Sequence, residues 1–283
     1  MPSPPPPSHD ERVIDLHVHA FPDRIAEGAV ANLERLTGYV RHYDGTLDGL
    51  RASMARHGIA RAVVQPVATR PESVESINEW AARSQDERVI FFGAMHPAHP
   101  DPTGEIERLA GLGLRGIKLH PEFQGFRPDE DRMAPIYEAL ARHDLVLFFH
   151  AGADIAIPSV SSDPRTFARV LDAWPALTVV LAHMGGWQQW DAVLEHLAGR
   201  AVYLETSFTL PFLEAGRFVE LVRAHGADRV AFGSDGPLGD AGETLRGLGA
   251  RALDERARAA IRQRAVRGGA PPVAAGCARV IVR

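Results

Sequence analysis

Short apolar runs recur along the chain, each followed by a polar or Gly/Pro-rich connection and then an amphipathic stretch. They read VIDLHVH from Val13, AVVQPV from Ala62, VIFFGAM from Val89 and LRGIKLH from Leu114. The series continues with LVLFFH from Leu145, LTVVLAH from Leu177, AVYLETS from Ala201 and VAFGSD from Val230. Runs this short and this rich in Val, Ile, Leu and Phe suit strands buried on both faces, as in a parallel sheet. Helices are expected between them at RPESVESINEWAARS, DEDRMAPIYEALARH, SDPRTFARVLDAWP, WQQWDAVLEHLAGR and PFLEAGRFVELVRAHG. Several begin at Ser or Asp, or carry Pro just inside the start, and end at Gly or Pro. Eight strands alternating with helices predict an α/β fold: a distorted, single-domain (β/α)8 TIM barrel. The first and eighth runs start at Val13 and Val230, so seven units average 31 residues, the size of a βα unit. An open doubly wound sheet is the alternative, but the chain has no GxGxxG or GxxxxGK[ST] loop to favour it. The long connection from Ala20 to Arg61 leaves room for an extra helix or a lid.

Composition narrows the class. With 31 basic and 36 acidic residues among 283, the net charge is −5, and no basic face for nucleic acid is expected. A hydrophobic content of 45% is enough for a full core. The single cysteine, Cys277, excludes a disulfide framework or a thiolate metal cluster within the chain. No apolar run reaches the roughly 18 residues of a membrane span, and the first eleven residues lack the basic start and apolar stretch of a secretion signal. The expectation is a cytoplasmic protein, with neither nucleic acid nor membrane as partner. A disordered Pro-rich tail is expected over 1–11, a barrel over 12–262, and an irregular C-terminal tail over 263–283.

The chain holds 13 histidines, and six lie in or just after apolar runs: His17, His19, His96, His120, His150 and His183. In a parallel barrel the C-terminal strand ends converge on one face, so these side chains can meet. His17 and His19 are two apart on a strand and share a side. An HxH pair alone is as consistent with structure as with metal binding, and Asp235 in SDGP could be a turn carboxylate. Together, however, HxH, LFFHAG, LAHMGG and FGSDGP bring four imidazoles and a carboxylate to one rim. That donor set suits zinc, or manganese or iron.

These motifs, in this order, resemble the amidohydrolase superfamily. DLHVHAFPD, GIKLHPEFQ, HAG, AHMGG and FGSDGP are similar to its amidohydrolase-related branch (family 2), which includes aminocarboxymuconate semialdehyde decarboxylase-like enzymes. The resemblance covers roughly Arg12 to Leu253. It implies one divalent ion, zinc before manganese or iron, on His17, His19, His150 and Asp235. His183 would stand beside it as acid/base or oxyanion-polarising group, and Asp235 would also take the proton of the attacking water. Lys118 has two readings: carboxylated, it would bridge a second metal, while unmodified it would grip a substrate carboxylate; the single-metal arrangement is preferred. His120 is expected to contact substrate, Glu122 to be loop polarity, and His96 and His99 to sit in a stiff rim loop. Phe21, Phe123, Phe126 and Trp187 are candidate pocket walls or packing. His9, His42, His57, His143, His196 and His225 are assigned to solvent.

The expected function is a metal-dependent hydrolase in which activated water attacks an amide, ester or lactone carbonyl of a small organic substrate. The alternative is a lyase, a non-oxidative decarboxylase or hydratase, using the same site. A homodimer is implied by resemblance alone. One departure stands out: members usually finish with a helix carrying an Asn-Ala pair and a Leu-rich end. Here the helical period fades after Ile261 into Arg, Gly and Pro, so residues after about 265 are expected to be poorly ordered and without chemistry.

Overall fold

A computed structural model describes residues 13–266. Eight barrel strands follow the eight apolar runs: β1 (Val13–Val18), β2 (Ile59–Val64), β3 (Val89–Phe91, resuming as Gly93–Ala94) and β4 (Gly116–Leu119). Then come β5 (Val146–Phe149), β6 (Thr178–Leu181), β7 (Tyr203–Glu205) and β8 (Val230–Ala231). Each pairs in parallel with its neighbour in chain order. The break in β3 falls at Phe92, whose amide still donates to the Val64 carbonyl at 3.1 Å. Between last strand and first, Leu16 N donates to Phe232 O (2.9 Å) and Asp235 N to His17 O (2.7 Å), and Val18 bridges Gly236. The sheet therefore closes into a (β/α)8 barrel.

Two apolar layers explain the near-continuous hydrophobicity of the strands. Leu16, Val63, Phe92, Val146, Phe148, Val180, Ala182 and Ala231 form one cluster. Alternate residues such as Val64, Phe91, Ile117, Leu147, Phe149, Val179 and Leu204 join the larger cluster that takes in helix residues. Alternation along each strand puts the first set inside the barrel and the second under the helices. Helix starts follow the cap signals: Asp101, Asp163, Asp240 and Asp254 each accept an amide hydrogen bond at a helix N-terminus, with Pro102 and Pro164 just inside. The long first connection folds as two helices, Asp23–Thr37 and Leu47–His57. No helix among the described residues is long and apolar enough to cross a membrane.

Two sequence expectations need correction or bounding. His225 is not at the solvent: it is fully buried, donates from Nε2 to the Val202 carbonyl (2.9 Å) and accepts from Gly199 N, and burial takes it down to about 4. An i+3/i+4 stripe through Val222 and Val219 puts it on the packed face of its helix, which single-residue polarity does not reveal. The expected tail from residue 263 is non-helical through Val266, yet Val266 is partly buried against the inner apolar cluster. The Pro-rich segment and the chain after Val266 lie outside the described residues, as do the expectations that fell on them.

The loops bearing the HAG and HMGG motifs clamp each other. Trp187 N donates to Ala151 O (2.8 Å) and Ala153 N to Trp187 O (3.1 Å), across a bridge at Gly152. Gly152 sits at φ 91°, and a Cβ there would strike the backbone of Trp187. Gly152→Ala thus combines a left-handed backbone with a backbone clash. It is expected to destabilise by about 2 kcal/mol or more, read as a lowered midpoint in urea with unchanged slope.

Candidate metal centre

The site begins with an irregularity in β1. Register slips between Asp15 and Val18 where β1 pairs β2. As a result Leu16 joins the inner cluster while the next residue, His17, also turns inward, its ring edge-on to Phe148 at 5.0 Å. His17 Nδ1 lies 3.1 Å from Glu205 Oε1, so Nδ1 carries the proton and Nε2 presents a lone pair. That lone pair faces Asp235 Oδ1 at 3.4 Å and Lys118 Nζ at 3.4 Å. His19 Nε2 approaches the same Asp235 oxygen at 2.9 Å. One nitrogen from each imidazole and one carboxylate oxygen thus lie within 4.8 Å of one another. Neutral imidazole and carboxylate are the donors a borderline divalent ion takes, so these residues fit such an ion.

The surroundings lock the geometry. Asp235 holds φ 62°, unusual for a residue with a side chain, and its backbone is pinned by His17 O. Beside it, Ser234 donates from N (3.0 Å) and Oγ (2.6 Å) to Asp15, which also accepts from His17 N. Burial pushes Asp15 up to about 7 against those hydrogen bonds. Burial also opposes ionisation of Asp235, but His17, His19 and His183 outweigh it and hold that carboxyl below the usual carboxylate range. Glu205, fully buried, accepts from His17, His183 N (2.9 Å), Ser207 N (2.8 Å) and Ser207 Oγ (2.6 Å). It ties the ends of β1, β6 and β7 through one carboxylate.

The other predicted residues lie alongside. Lys118, 1% exposed, rests its Nζ 4.3 Å above the Phe148 ring beneath His17, and burial lowers it to about 8. His183, also at positive φ (56°), has Nδ1 3.1 Å from the Ser207 carbonyl and Nε2 3.1 Å from His150 Nδ1. His150 joins His120 and Asp154 in a second group of donors lying within 4.8 Å of one another. His120 and His150 stack at 4.1 Å with 10° between planes, and Phe123 meets His120 edge-on at 4.4 Å. Burial holds His17, His120 and His150 well below the ordinary imidazole value, so all three are neutral at pH 7. Trp187 and Phe126 are buried, Phe126 within the core cluster. His96 and His99 accept amides of their own loop, Ala98 N and Asp101 N.

Sequence reasoning passed over Asp15, Glu205, Ser207 and Asp154. For Asp15 and Glu205 a signal existed: a carboxylate inside an apolar run destined for a buried parallel strand requires a partner. Ser207 and Asp154 sit in loops whose polarity reads as ordinary.

A closed parallel barrel with imidazole and carboxylate donors gathered at its C-terminal rim defines a metal-dependent barrel enzyme. The family model described as amidohydrolase matches residues 14–265, and the chain belongs to that family. A dihydroorotase of Mycosarcoma maydis is 25% identical over 134 residues, 43% of this chain and 33% of that one. The chain thus spans about a third of the length of that curated relative. Among solved structures, 5-carboxyvanillate decarboxylase of Novosphingobium aromaticivorans, complexed with manganese and 4-hydroxy-3-methoxy-5-nitrobenzoic acid, superposes with TM-score 0.67 at 17% identity, covering 90% of this chain and 95% of that one. The 2,6-dihydroxybenzoate decarboxylase from Rhizobium gives TM-score 0.65 at 16% identity over 89% and 96%. At those identities the likeness establishes the fold.

Glu205→Gln takes the negative charge from the acceptor that fixes the His17 tautomer and sets an amide NH2 against a neighbouring donor, since both carboxylate oxygens accept hydrogen bonds. Affinity for added zinc is expected to fall about 10- to 100-fold in competition with a chromophoric chelator, with the circular dichroism unchanged. A pH effect follows from the buried imidazoles. The folded value of His120 lies below the ordinary 6.5, so below that pH the unfolded chain takes up a proton that the folded one refuses. Its stabilising contribution is present above pH 6.5 and is lost as pH falls. Asp15 acts in the opposite sense, so the comparison must be with a variant. In chelator, His120→Gln is expected to lose less stability than the parent between pH 7 and pH 5, read by urea midpoints at each pH.

Proposed function

We propose that the protein is a metal-dependent hydrolase of small organic substrates bearing an amide, ester or lactone carbonyl. The observation that carries this reading is the convergence of His17 Nε2, His19 Nε2 and Asp235 Oδ1, with Asp235 held ionised. A divalent ion held there, zinc first with manganese or iron as alternatives, would polarise a substrate carbonyl and lower the pKa of water to about 7. Asp235, charged and within hydrogen-bond reach of His19, takes the proton of the attacking water. His183 keeps its Nδ1 proton on the Ser207 carbonyl, so a proton received at Nε2 would make it a cation able to stabilise charge on the carbonyl oxygen. Glu205 and Ser207 hold both rings while this happens. Phe123 and Trp187 supply apolar surface near the mouth. Lys118, nearly without exposure, acts through His17 and the local field rather than by gripping substrate from the rim.

A second reading, non-oxidative decarboxylation, draws support from the decarboxylases of like fold. Incubating the zinc-loaded protein with panels of lactones, aryl esters, cyclic amides and hydroxybenzoates in 18O-water separates the two. Incorporation of 18O without release of carbon dioxide is the expected result, and carbon dioxide release without incorporation overturns hydrolysis. With a turned-over substrate in hand, Asp235→Asn should lower kcat about 10²- to 10⁴-fold while the fold persists.

A further inference from the structure

The loop after β7 holds a bulky residue in a conformation that core packing does not explain. Phe208 has φ 46°, in the left-handed region that side chains of its size avoid. Its partly buried ring belongs to neither apolar cluster among the described residues, so the core gains nothing from the strain. Two hydrogen bonds hold the turn: Trp187 Nε1 donates to Phe208 O at 3.2 Å, and Thr209 Oγ1 to Ser207 O at 3.0 Å. Strain that neighbours maintain at a residue the core does not use marks a place where the side chain itself is needed. The Phe208 ring meets the His183 ring edge-on at 6.4 Å and the Tyr39 ring edge-on at 5.1 Å. Tyr39 lies just past the helix Asp23–Thr37, in the long first connection. That connection is fixed to the rim by Tyr43 OH donating to His19 O (2.7 Å) and His42 N donating to Pro237 O (2.8 Å). Since β8 lies between β1 and β7, the contact of Tyr39 with Phe208 spans the loop that bears Asp235. Trp187 continues the surface to Phe212, edge-on at 5.7 Å and 42% exposed. Aromatic surface thus steps from a ring of the metal centre out to solvent. The loop sequences on this side agree: SFTLPFL (207–213) and IAIPSVSS (155–162) carry no ionisable side chain.

We propose that Phe208 and Tyr39 form a specificity wall for the part of the substrate distal to the reacting group, and that this part is an uncharged alkyl or unsubstituted aryl group. The wall begins at His183 and ends at the surface, so a substrate whose reacting end lies at the metal centre lays its remainder along these rings. With no charged side chain on the flanking loops, a polar or ionic group there would lose its water without finding a partner. An apolar group covers Phe208 and Tyr39 and is held by the area it removes from water. The inference deepens the hydrolase reading and rests on it for the identity of the reacting carbonyl, while the wall itself is read by binding alone.

The test loads the full chain with zinc and measures by calorimetry the dissociation constants of acetohydroxamate and octanohydroxamate, which share a chelating head and differ in alkyl tail. Burial of two further methylenes already gives about tenfold, so octanohydroxamate is expected to bind at least about tenfold tighter. In Phe208→Ala and in Tyr39→Ala that ratio should fall to about threefold or less. A ratio near one in the parent overturns the proposal, as does a ratio that neither substitution changes, including an equal loss for both probes. A dimer that dissociates in Phe208→Ala with the ratio unchanged also overturns it and gives the wall to a second copy of the chain. Phe208→Gly removes the ring and relaxes the backbone together. It should lose the tail preference yet unfold at an equal or higher urea concentration than the parent, and it decides alone should Phe208→Ala fail to fold. A clearly lower midpoint in Phe208→Gly makes the ring a packing residue and overturns the proposal. Release of carbon dioxide without 18O incorporation, beside an intact tail preference, would overturn the hydrolase reading and leave the wall standing.

Discussion

The backbone seam between β1 and β8 is the constraint on which the site depends. Asp235 N to His17 O, and Leu16 N to Phe232 O, do more than close the cylinder. They set the carboxylate of the last strand beside the imidazoles of the first, across more than two hundred residues of chain. A seam displaced by one residue would turn each side chain to the opposite face. Asp15 reinforces this register from the other side, since its carboxylate accepts from both Ser234 and His17. The structure thus spends a buried carboxylate, raised to about 7, on holding two strand ends together. Such groups cost free energy unless hydrogen-bonded, and here the hydrogen bonds coincide with the positions a ligand set needs.

Glu205 acts similarly between β1, β6 and β7. By accepting from His17 Nδ1 it decides which nitrogen of His17 faces Asp235. By accepting from the His183 amide and from Ser207, it steadies a stretch in which His183 and Met184 both have positive φ. Strain of this kind persists only where neighbours over-determine it. The direction of each imidazole is therefore set two contacts away from the donors themselves.

How much of this was legible in the sequence depends on how far each signal reaches. The eight strands were, because burial on both faces writes continuous runs that need no knowledge of partners, and β3 differs only in its break at Phe92. Helix starts were legible for the same local reason, the caps at Asp101, Asp163 and Asp254 being within three residues of what they bind. The HxH pair and Asp235 were legible as rim residues, since strand ends converge in any parallel barrel. What escaped was tautomer and facing. His150 stacks on His120 and approaches Asp154, with its Nδ1 against Nε2 of His183, a partner 33 positions further along the chain. His225 shows the same limit, because its Val202 acceptor lies on a separate element.

The charge inventory at the mouth links stability to function. Asp235, Asp154 and Glu122 bring three carboxylates, while His17, His120 and His150 are kept neutral by burial and supply lone pairs rather than charge. Lys118 offers a buried cation, itself lowered to about 8. A fold optimised for stability alone would replace such a set by apolar residues of similar volume, as often happens without loss when buried ionic groups are substituted. Its excess of acceptors over donors is instead the condition for gripping cations, because each ion that enters satisfies several acceptors at once and favours the folded state by its own binding free energy. The same imbalance that makes this rim costly to bury is what fits it to a divalent ion.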